Sequence, residues 1–231
     1  MAMKLEKVVP FGRSLDEYIK MFNLTEADLG KRILGVGDGP ASFNAEATKL
    51  GYTVTSIDPV YQLGVAEILS RFNAVVDDII HQVKASPNDW VWTYHQSPDH
   101  LRKNRIQAMD TFLNDYEAGK REGRYLIDAL PKLAFPDRAF DLALCSHFLF
   151  LYSEQLNEQF HLDSIREMLR VSQEVRIFPL LTLMRERSPH LDPVMETLTD
   201  QGYRLTIKTV PYELQKGGNE MLVITTEREH A

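Results

Sequence analysis

The chain has 231 residues, of which 44% are hydrophobic and 26% charged, so it can bury the core of one domain and shows no composition typical of long disorder or a coiled coil. Its formal net charge of −7 gives no overall attraction to a phosphate backbone, so no nucleic acid substrate is expected. The single cysteine excludes an intramolecular disulfide and a zinc site built on paired cysteines, which favours a reducing, cytoplasmic compartment.

Residues 1–18 contain no apolar run of the length that a signal peptide needs, so export is not expected. The most apolar stretch, residues 140–152, is interrupted by Asp141, Ser146 and His147 and is shorter than the roughly 20 residues of a membrane span. The sequence therefore predicts no membrane partner, and this stretch is expected to form a buried strand.

Two short helices are predicted within residues 1–30. Ser14 stands three residues before Glu17, and Thr25 stands three residues before Asp28. Both pairs are capping boxes, in which the two side chains bond the free backbone groups of a helix start. This N-terminal region is therefore expected to be helical.

A strand, a tight turn, a helix and a second strand are predicted next. The apolar run 33–36 breaks into glycines within residues 37–39, which indicates a strand followed by a turn. Pro40 suits the first turn of a helix, because its fixed φ is helical and its missing N–H would have no partner there. Residues 52–57 are rich in β-formers and end at Asp58-Pro59, which completes a βαβ unit.

A long stretch without clear strand signals, residues 61–124, follows the second strand. It is much longer than a typical connection in an α/β unit. Ser97-Pro98-Asp99 is a strong helix start, and the apolar residues within 75–83 indicate another helix. We therefore expect a single domain over residues 1–231 with a helical insertion or lid at 61–124.

The insertion contains an aromatic set and a basic set of side chains. The aromatic set consists of Trp90, Trp92, Tyr94 and His95. It is expected to form the insertion's own small core, with a substrate pocket as the alternative. The basic set consists of Arg102, Lys103 and Arg105. It is expected on a solvated helix face, because acidic residues flank it.

The second half of the chain alternates strands and helices. Strands are expected at residues 125–127, 140–148, 174–178, 203–210 and 221–226. Helices are expected at about 163–169 and after Asp192-Pro193, which would cap the last one. The alternation implies an α/β fold with a doubly wound, mostly parallel seven-stranded sheet that ends in a hairpin at one edge.

The turn at 37–39 and Asp58 together form a pattern typical of nucleoside binding. Glycines let the backbone approach a ligand, and the second carboxylate can accept hydrogen bonds from ribose hydroxyls. Both S-adenosylmethionine and NAD enzymes use this pattern, but a dinucleotide fingerprint needs glycine or alanine where Ser42 stands. Asp38 would repel a pyrophosphate and attract the ammonium and sulfonium groups of S-adenosylmethionine, so the charges favour that cofactor.

Three segments of the chain resemble the class I S-adenosylmethionine-dependent methyltransferases. The run 33–40 is similar to their first motif, and Asp58 matches their ribose-binding acid. Asp128-Ala129 with residues 135–141 resembles the stretch that follows their third strand. The resemblance covers the βαβ unit and residues 124–226, and it leaves the insertion unmatched.

The resemblance implies S-adenosylmethionine as cofactor, with the transferable methyl near the end of the strand that finishes at Ser146. The implied cofactor contacts are Gly35, Gly37, Asp38, Gly39, Asp58, Pro59, Asp128, Ala129 and Ser146. In the family, the acid at the position of Asp128 contacts the adenine amino group. The family also has an acid where Gly35 stands, which helps to hold the methionine ammonium, and Asp38 is the candidate to replace it.

The candidate catalytic residue is His147, just beyond the predicted strand. Its neutral imidazole could accept a proton from the methyl acceptor, and packing at the strand end is the alternative role. Cys145 is expected to be a small buried hydrophobic side chain, because nothing next to it in sequence would lower the pKa of its thiol.

The residues thus favour methyl transfer from S-adenosylmethionine to a small-molecule acceptor, without a metal. Two other functions stay open. One is a nicotinamide-dependent oxidoreductase, which shares the nucleoside-binding pattern. The other is an inactive S-adenosylmethionine-binding module whose insertion binds a protein partner, because the first motif is altered.

Overall fold

The structure, a computed structural model, describes residues 9–226, so residues 1–8 of the predicted N-terminal region and residues 227–231 lie outside the described residues. The strands are β1 (Ile33–Val36), β2 (Val54–Ile57), β3 (Tyr125–Leu126), β4 (Leu142–Ser146), β5 (Glu174–Phe178), β6 (Tyr203–Thr209) and β7 (Glu220–Thr226). The helices are α1 (Leu15–Met21), α2 (Glu26–Leu29), α3 (Phe43–Lys49), α4 (Val65–Ala85), α5 (Pro98–Arg121), α6 (Glu158–Val171) and α7 (Leu191–Asp200). Short 3-10 turns cover Pro59–Gln62, Pro87–Asp89 and Phe150–Tyr152.

The strands form one seven-stranded sheet in the order β3-β2-β1-β4-β5-β7-β6. Strands β1 to β5 pair in parallel, whereas β7 pairs antiparallel with both β5 and β6. This arrangement confirms the predicted doubly wound, mostly parallel sheet with a closing hairpin. Because β2 lies on one side of β1 and β4 on the other, the chain reverses its winding direction next to β1, and ligands of such sheets bind outside the carboxyl ends of the strands at that point.

Both faces of the sheet are covered by apolar side chains. Leu34 and Cys145 belong to one buried cluster, and Ile33 and Leu144 belong to the cluster on the other face. Successive side chains of a strand point to opposite faces, so a strand buried on both sides must be apolar throughout. The near-continuous apolar sequence of β1 and β4 is therefore the signature of the sheet's centre, and burial of Cys145 confirms its predicted hydrophobic role.

Helices α4 and α5 occupy the region between β2 and β3. They pack against each other, and α5 also contacts α3 and β3. Phe72 of α4 and Phe112 of α5 share a buried cluster with Tyr61. Among residues 9–226, no helix has the length and hydrophobicity needed to cross a bilayer.

Four predicted helix and strand boundaries are wrong. Helix α6 begins at Glu158, because Asn157 caps it, and not near residue 163. Helix α3 begins at Phe43, because Pro40 lies in the turn, where its carbonyl is packed against Gly12. Helix α7 begins after His190, so Asp192 lies inside its first turn and does not cap it. The strand predicted over 140–148 is confined to β4, since the residues after Ser146 turn away into the loop that forms the site.

Burial of Arg105 contradicts the predicted solvated basic face. Arg102 and Lys103 do face solvent, but Arg105 is 1% exposed on the inner side of α5. Its guanidinium donates two hydrogen bonds to the Glu17 carboxylate, at 2.7 and 2.5 Å, and one to the Gly12 carbonyl at 3.1 Å. A buried carboxylate requires a charged partner. For Glu17 on α1, that partner is Arg105 on α5, a helix distant in sequence.

The aromatic set of the insertion divides between two places. Trp90 packs with Leu101 and the apolar face of α4, which is the small core predicted for the insertion. His95 is fully buried and its Nε2 lies 3.0 Å from the Tyr212 hydroxyl. The Tyr94 ring packs at a tilt against the Tyr212 ring, so this half of the set contacts the segment between β6 and β7.

Candidate functional site

A cavity of about 310 Å³ lies at the carboxyl ends of β1 to β4, at the point where the sheet reverses its winding. The predicted site residues on its wall are Gly37, Asp38, Gly39, Asp58, Pro59, Asp128, Ala129, Ser146 and His147. Residues from four separate parts of the chain therefore meet at one cavity. Gly35 is the predicted contact that does not reach the wall.

The turn after β1 is held in a conformation that favours glycine. Gly37 and Gly39 have φ angles of +66° and +54°. A Cβ at Gly37 would lie 3.3 Å from the Phe148 ring, so a side chain there would strain the backbone and would require the ring to shift by a few tenths of an ångström. Tyr61 donates a hydrogen bond of 2.7 Å to the Gly39 carbonyl, which fixes the far end of the turn.

The Asp38 carboxylate occupies the space beside Gly35. A Cβ at Gly35 would overlap the carboxyl group of Asp38, so these positions cannot both carry a side chain in this geometry. Asp38 is 6% exposed, and it accepts hydrogen bonds from the Tyr18 hydroxyl at 2.7 Å and the Ser56 hydroxyl at 2.6 Å. The turn thus presents one acid from position 38 where the related pattern has one at position 35.

Burial raises the pKa of Asp38 to about 7. The hydrogen bonds from Ser56 and Tyr18 oppose this rise, and the negative charge of Asp58 adds to it. Among residues 9–226 no cation forms an ion pair with this carboxylate. A cationic ligand in the cavity would supply the missing charge, and its binding would favour the ionised acid.

Asp58 links the ends of β1 and β2. Its Oδ2 accepts a hydrogen bond of 2.9 Å from the Gly39 N–H, and its Oδ1 accepts one of 2.8 Å from the Val60 N–H. Burial raises its pKa, and these two backbone bonds oppose that rise. Each carboxylate oxygen can accept a further hydrogen bond, so Asp58 can hold the turn and still accept from a ligand hydroxyl.

Asp128 organises the loop after β3. Its Oδ1 accepts from the Ala129 N–H at 2.8 Å and its Oδ2 accepts from the Ala134 N–H at 2.9 Å. These bonds close the loop over residues 128–134, which brings Asp128 and Ala129 to the cavity wall. The predicted binding acid therefore also has a structural role.

His147 stands where β4 ends and has a φ of +50°, which is unusual for a residue with a side chain. Its N–H donates to the Phe178 carbonyl at 2.6 Å, and its Nδ1 lies 2.9 Å from the Ser146 hydroxyl. Burial lowers the pKa of His147 well below its usual value, and the positive charges of Arg13 and Arg105 lower it further. The imidazole is therefore neutral at pH 7 and is a weak base.

A second cavity, of about 80 Å³, adjoins the first. Four residues line both cavities and form a shared wall, namely Val9, Phe11, Arg13 and His147. The rest of the second cavity is mostly apolar and includes Trp90 and Phe178. One predicted site residue, His147, thus faces two different environments.

Sequence reasoning missed three residues that shape the site, namely Arg13, Tyr18 and Ser56. Tyr18 was visible only as part of the apolar face of α1, where its hydroxyl gave no separate signal. Ser56 is a polar residue inside a buried strand, which is a weak signal for an internal hydrogen bond. Arg13 precedes the first helix, where no pattern indicated a position on the cavity wall.

The fold is that of a doubly wound α/β protein with a cavity at its topological switch point, where ligands of such sheets bind. The chain belongs to the same family as the uncharacterized protein MJ0045 of Methanocaldococcus jannaschii. The two are 38% identical over 223 residues, which cover 96% of this chain and 98% of that protein. No family model matches the chain.

Comparison with solved structures finds lower similarity. Magnesium protoporphyrin IX methyltransferase (ChlM) from Synechocystis PCC 6803, crystallised with bound SAM, has a TM-score of 0.49 and 12% identity, with 92% of this chain and 78% of that chain covered. The PH0226 protein from Pyrococcus horikoshii OT3 has a TM-score of 0.47 and 13% identity, with 92% and 91% covered.

Proposed function

We propose that the protein binds S-adenosylmethionine in the larger cavity and transfers its methyl group to a small-molecule acceptor. The observation that carries this proposal is the Asp38 carboxylate, buried on the cavity wall without a cationic partner among the described residues. A pyrophosphate would be repelled by this acid, whereas the ammonium of an amino-acid tail would be attracted to it.

The remaining wall residues fit the other parts of the same cofactor. Asp58 has free acceptor capacity for ribose hydroxyls, and the loop at Asp128 and Ala129 would face the adenine. The amino-acid tail then extends along the turn, so the reactive methyl would lie toward Ser146 and His147. We include in this proposal that residues 61–124 act as an insertion that helps to exclude water.

Methyl transfer from this cofactor does not require a strong general base. Methyl transfer is a displacement at an activated carbon, so much of the acceleration comes from holding the acceptor in line with the methyl group. When bound, the cofactor supplies that activated methyl. The neutral, weakly basic His147 suits an acceptor atom that carries no proton at working pH, which it would position by a hydrogen bond.

Calorimetric titration with S-adenosylhomocysteine, and in parallel with NAD, tests the cofactor. The wild-type protein is expected to bind S-adenosylhomocysteine and not NAD, and Asp58→Ala is expected to lose about tenfold or more in affinity. Asp77→Ala is the matched control, because Asp77 is an exposed acid on α4 that pairs with Arg102. If the wild-type protein binds NAD and does not bind S-adenosylhomocysteine, the proposed cofactor is wrong. If Asp58→Ala binds S-adenosylhomocysteine as tightly as the control Asp77→Ala, the proposed ribose contact of Asp58 is wrong.

Turnover is measured separately from binding. The wild-type protein is incubated with S-adenosylmethionine and the small-molecule fraction of a cell extract, which passes through a dialysis membrane. This incubation should release S-adenosylhomocysteine. Asp38→Asn should reduce that release, because the proposed partner of the ammonium is lost. Release that depends on protein or nucleic acid in the extract and not on its small molecules would contradict the proposed acceptor class.

A further inference from the structure

Arg13 is a partly buried cation that forms no ion pair with a carboxylate among the described residues. Its guanidinium lines both cavities, and its hydrogen bond is a single donation of 2.7 Å to the Phe11 carbonyl. The Nε atom is buried and has no hydrogen-bond partner among residues 9–226. A buried N–H that makes no bond costs free energy, so its persistence at a cavity wall points to a ligand that completes it.

The acids near Arg13 are bonded by other groups. Asp38, on the wall of the larger cavity, accepts from Tyr18 and Ser56. Glu17 is bonded by Arg105 at 2.7 and 2.5 Å and by the Tyr212 hydroxyl at 3.0 Å. Burial and then the positive charge of Arg105 lower the pKa of Arg13 to about 10. Glu17 thus pairs with Arg105 and forms no ion pair with Arg13 among the described residues, so an anion beside Arg13 would supply the partner that this guanidinium lacks.

The cavity beyond Arg13 is suited to an apolar group. Its wall includes Ile79, Val83, Trp90, Leu101, Phe178 and Leu183. Trp90 donates its indole N–H to the Ser86 hydroxyl at 3.1 Å, so the ring itself offers an apolar surface to an occupant. Aromatic and aliphatic walls with one cation at the rim match a ligand that has an apolar body and one acidic group.

We propose that the second cavity, with the part of the larger cavity that adjoins it at Arg13 and His147, is the acceptor site and that it takes a small aromatic or aliphatic carboxylic acid, whose carboxylate ion-pairs with Arg13. This inference rests on the proposed function, because it assigns the larger cavity to the cofactor. The acceptor would then lie across the wall formed by Arg13 and His147, with its reactive atom toward the larger cavity. A carboxylate at Arg13 would also offset one of the charges that weaken His147 as a base.

A matched pair of ligands tests the acid group without any mutation. Phenylacetate and phenylacetamide have the same shape and differ in charge, and each is titrated with and without S-adenosylhomocysteine. The reporter is the fluorescence of Trp90 in a Trp92→Phe background, since Trp90 lines the cavity. Phenylacetate is expected to bind about tenfold or more tightly than the amide, because a charged partner strengthens the hydrogen bonds to Arg13.

Variants then locate the effect. Arg13→Gln should abolish the preference for phenylacetate over phenylacetamide, Arg13→Lys should keep part of it, and Val83→Phe should weaken both ligands by filling the cavity. Arg102→Gln is the control, because it removes the same charge at an exposed position on α5. Retention of the preference in Arg13→Gln overturns the inference.

Two other outcomes also decide the matter. Equal binding of the acid and the amide by wild-type protein, or no binding of either, overturns the inference while leaving S-adenosylhomocysteine binding intact. If Arg13→Gln weakens S-adenosylhomocysteine as much as phenylacetate, Arg13 serves the carboxylate of the cofactor and the acceptor assignment is wrong. If wild-type protein fails to bind S-adenosylhomocysteine, the proposed function fails, and the acid–amide difference in unloaded protein still judges the Arg13 site.

Discussion

Affinity for S-adenosylhomocysteine should fall as the pH is lowered through the pKa of Asp38. That pKa is about 7 in the unloaded protein, because the carboxyl group is buried. Binding an ammonium requires the ionised acid, so protonated protein must first lose a proton. The apparent dissociation constant scales with one plus the ratio of protonated to ionised Asp38, a factor of about 11 at pH 6 and about 1.1 at pH 8. Affinity is therefore expected to be about tenfold weaker at pH 6.

Calorimetry at the two pH values measures this, and 5′-methylthioadenosine is the matched ligand control. It has the nucleoside but no amino-acid tail, so its affinity should not follow the titration of Asp38, whereas any pH dependence that arises at Asp58 would appear with both ligands. Asp38→Asn should bind S-adenosylhomocysteine weakly and without the pH dependence. Burial lowers the pKa of His147 well below its usual value, which moves its titration away from this range. A flat profile for S-adenosylhomocysteine, or the same slope for 5′-methylthioadenosine, would refute the role of Asp38.

Three further predictions concern stability and the turn. Burial raises the pKa of Asp38 to about 7 in the folded protein, so folding favours the protonated acid. The resulting contribution to the free energy of unfolding is present at low pH and is lost as pH rises through about 7, by on the order of 4 kcal/mol between pH 4 and pH 8. Urea unfolding of Asp38→Asn should not show this pH-dependent loss of stability. Gly35→Asp alone should unfold more easily and bind S-adenosylhomocysteine poorly, because its Cβ overlaps Asp38, whereas Gly35→Asp with Asp38→Gly should recover binding in calorimetry. Glu17→Gln should destabilise the protein by about 3 kcal/mol or more in urea, since it strands the buried charge of Arg105; an effect below about 1 kcal/mol would contradict that pairing.

Local signals made the sheet and the turn predictable. Gly37 and Gly39 both adopt positive φ angles, as the predicted tight turn requires. Asp58 follows β2, which pairs with β1, so the spacing along the chain was enough to predict that Asp58 lies near the turn. The two capping boxes were predicted for the same reason, because each is complete within four residues, and both are confirmed.

The residues that depend on distant partners could not be predicted in this way. Arg105 lies among other charged residues on α5, and its buried partner Glu17 is 88 positions away in sequence. Arg13 precedes any periodic pattern, so its position on the wall of both cavities follows from how residues 9–13 cross the turn. Pro40 has the φ of a helix start, but the contact of its carbonyl with Gly12 places it in the turn.

Residues 9–13 form a part of the cavity wall that is not attached to the end of a strand. The turn, Asp58 and Asp128 are tied to strand ends, whereas Val9, Phe11 and Arg13 reach both cavities from a stretch before the first helix. On the proposed function, exchanges at positions 9, 11 and 13 would change which ligand binds while the strands and their register stay intact. We expect relatives of this chain to diversify most readily along this short stretch, with Gly12 held by its contact with Pro40.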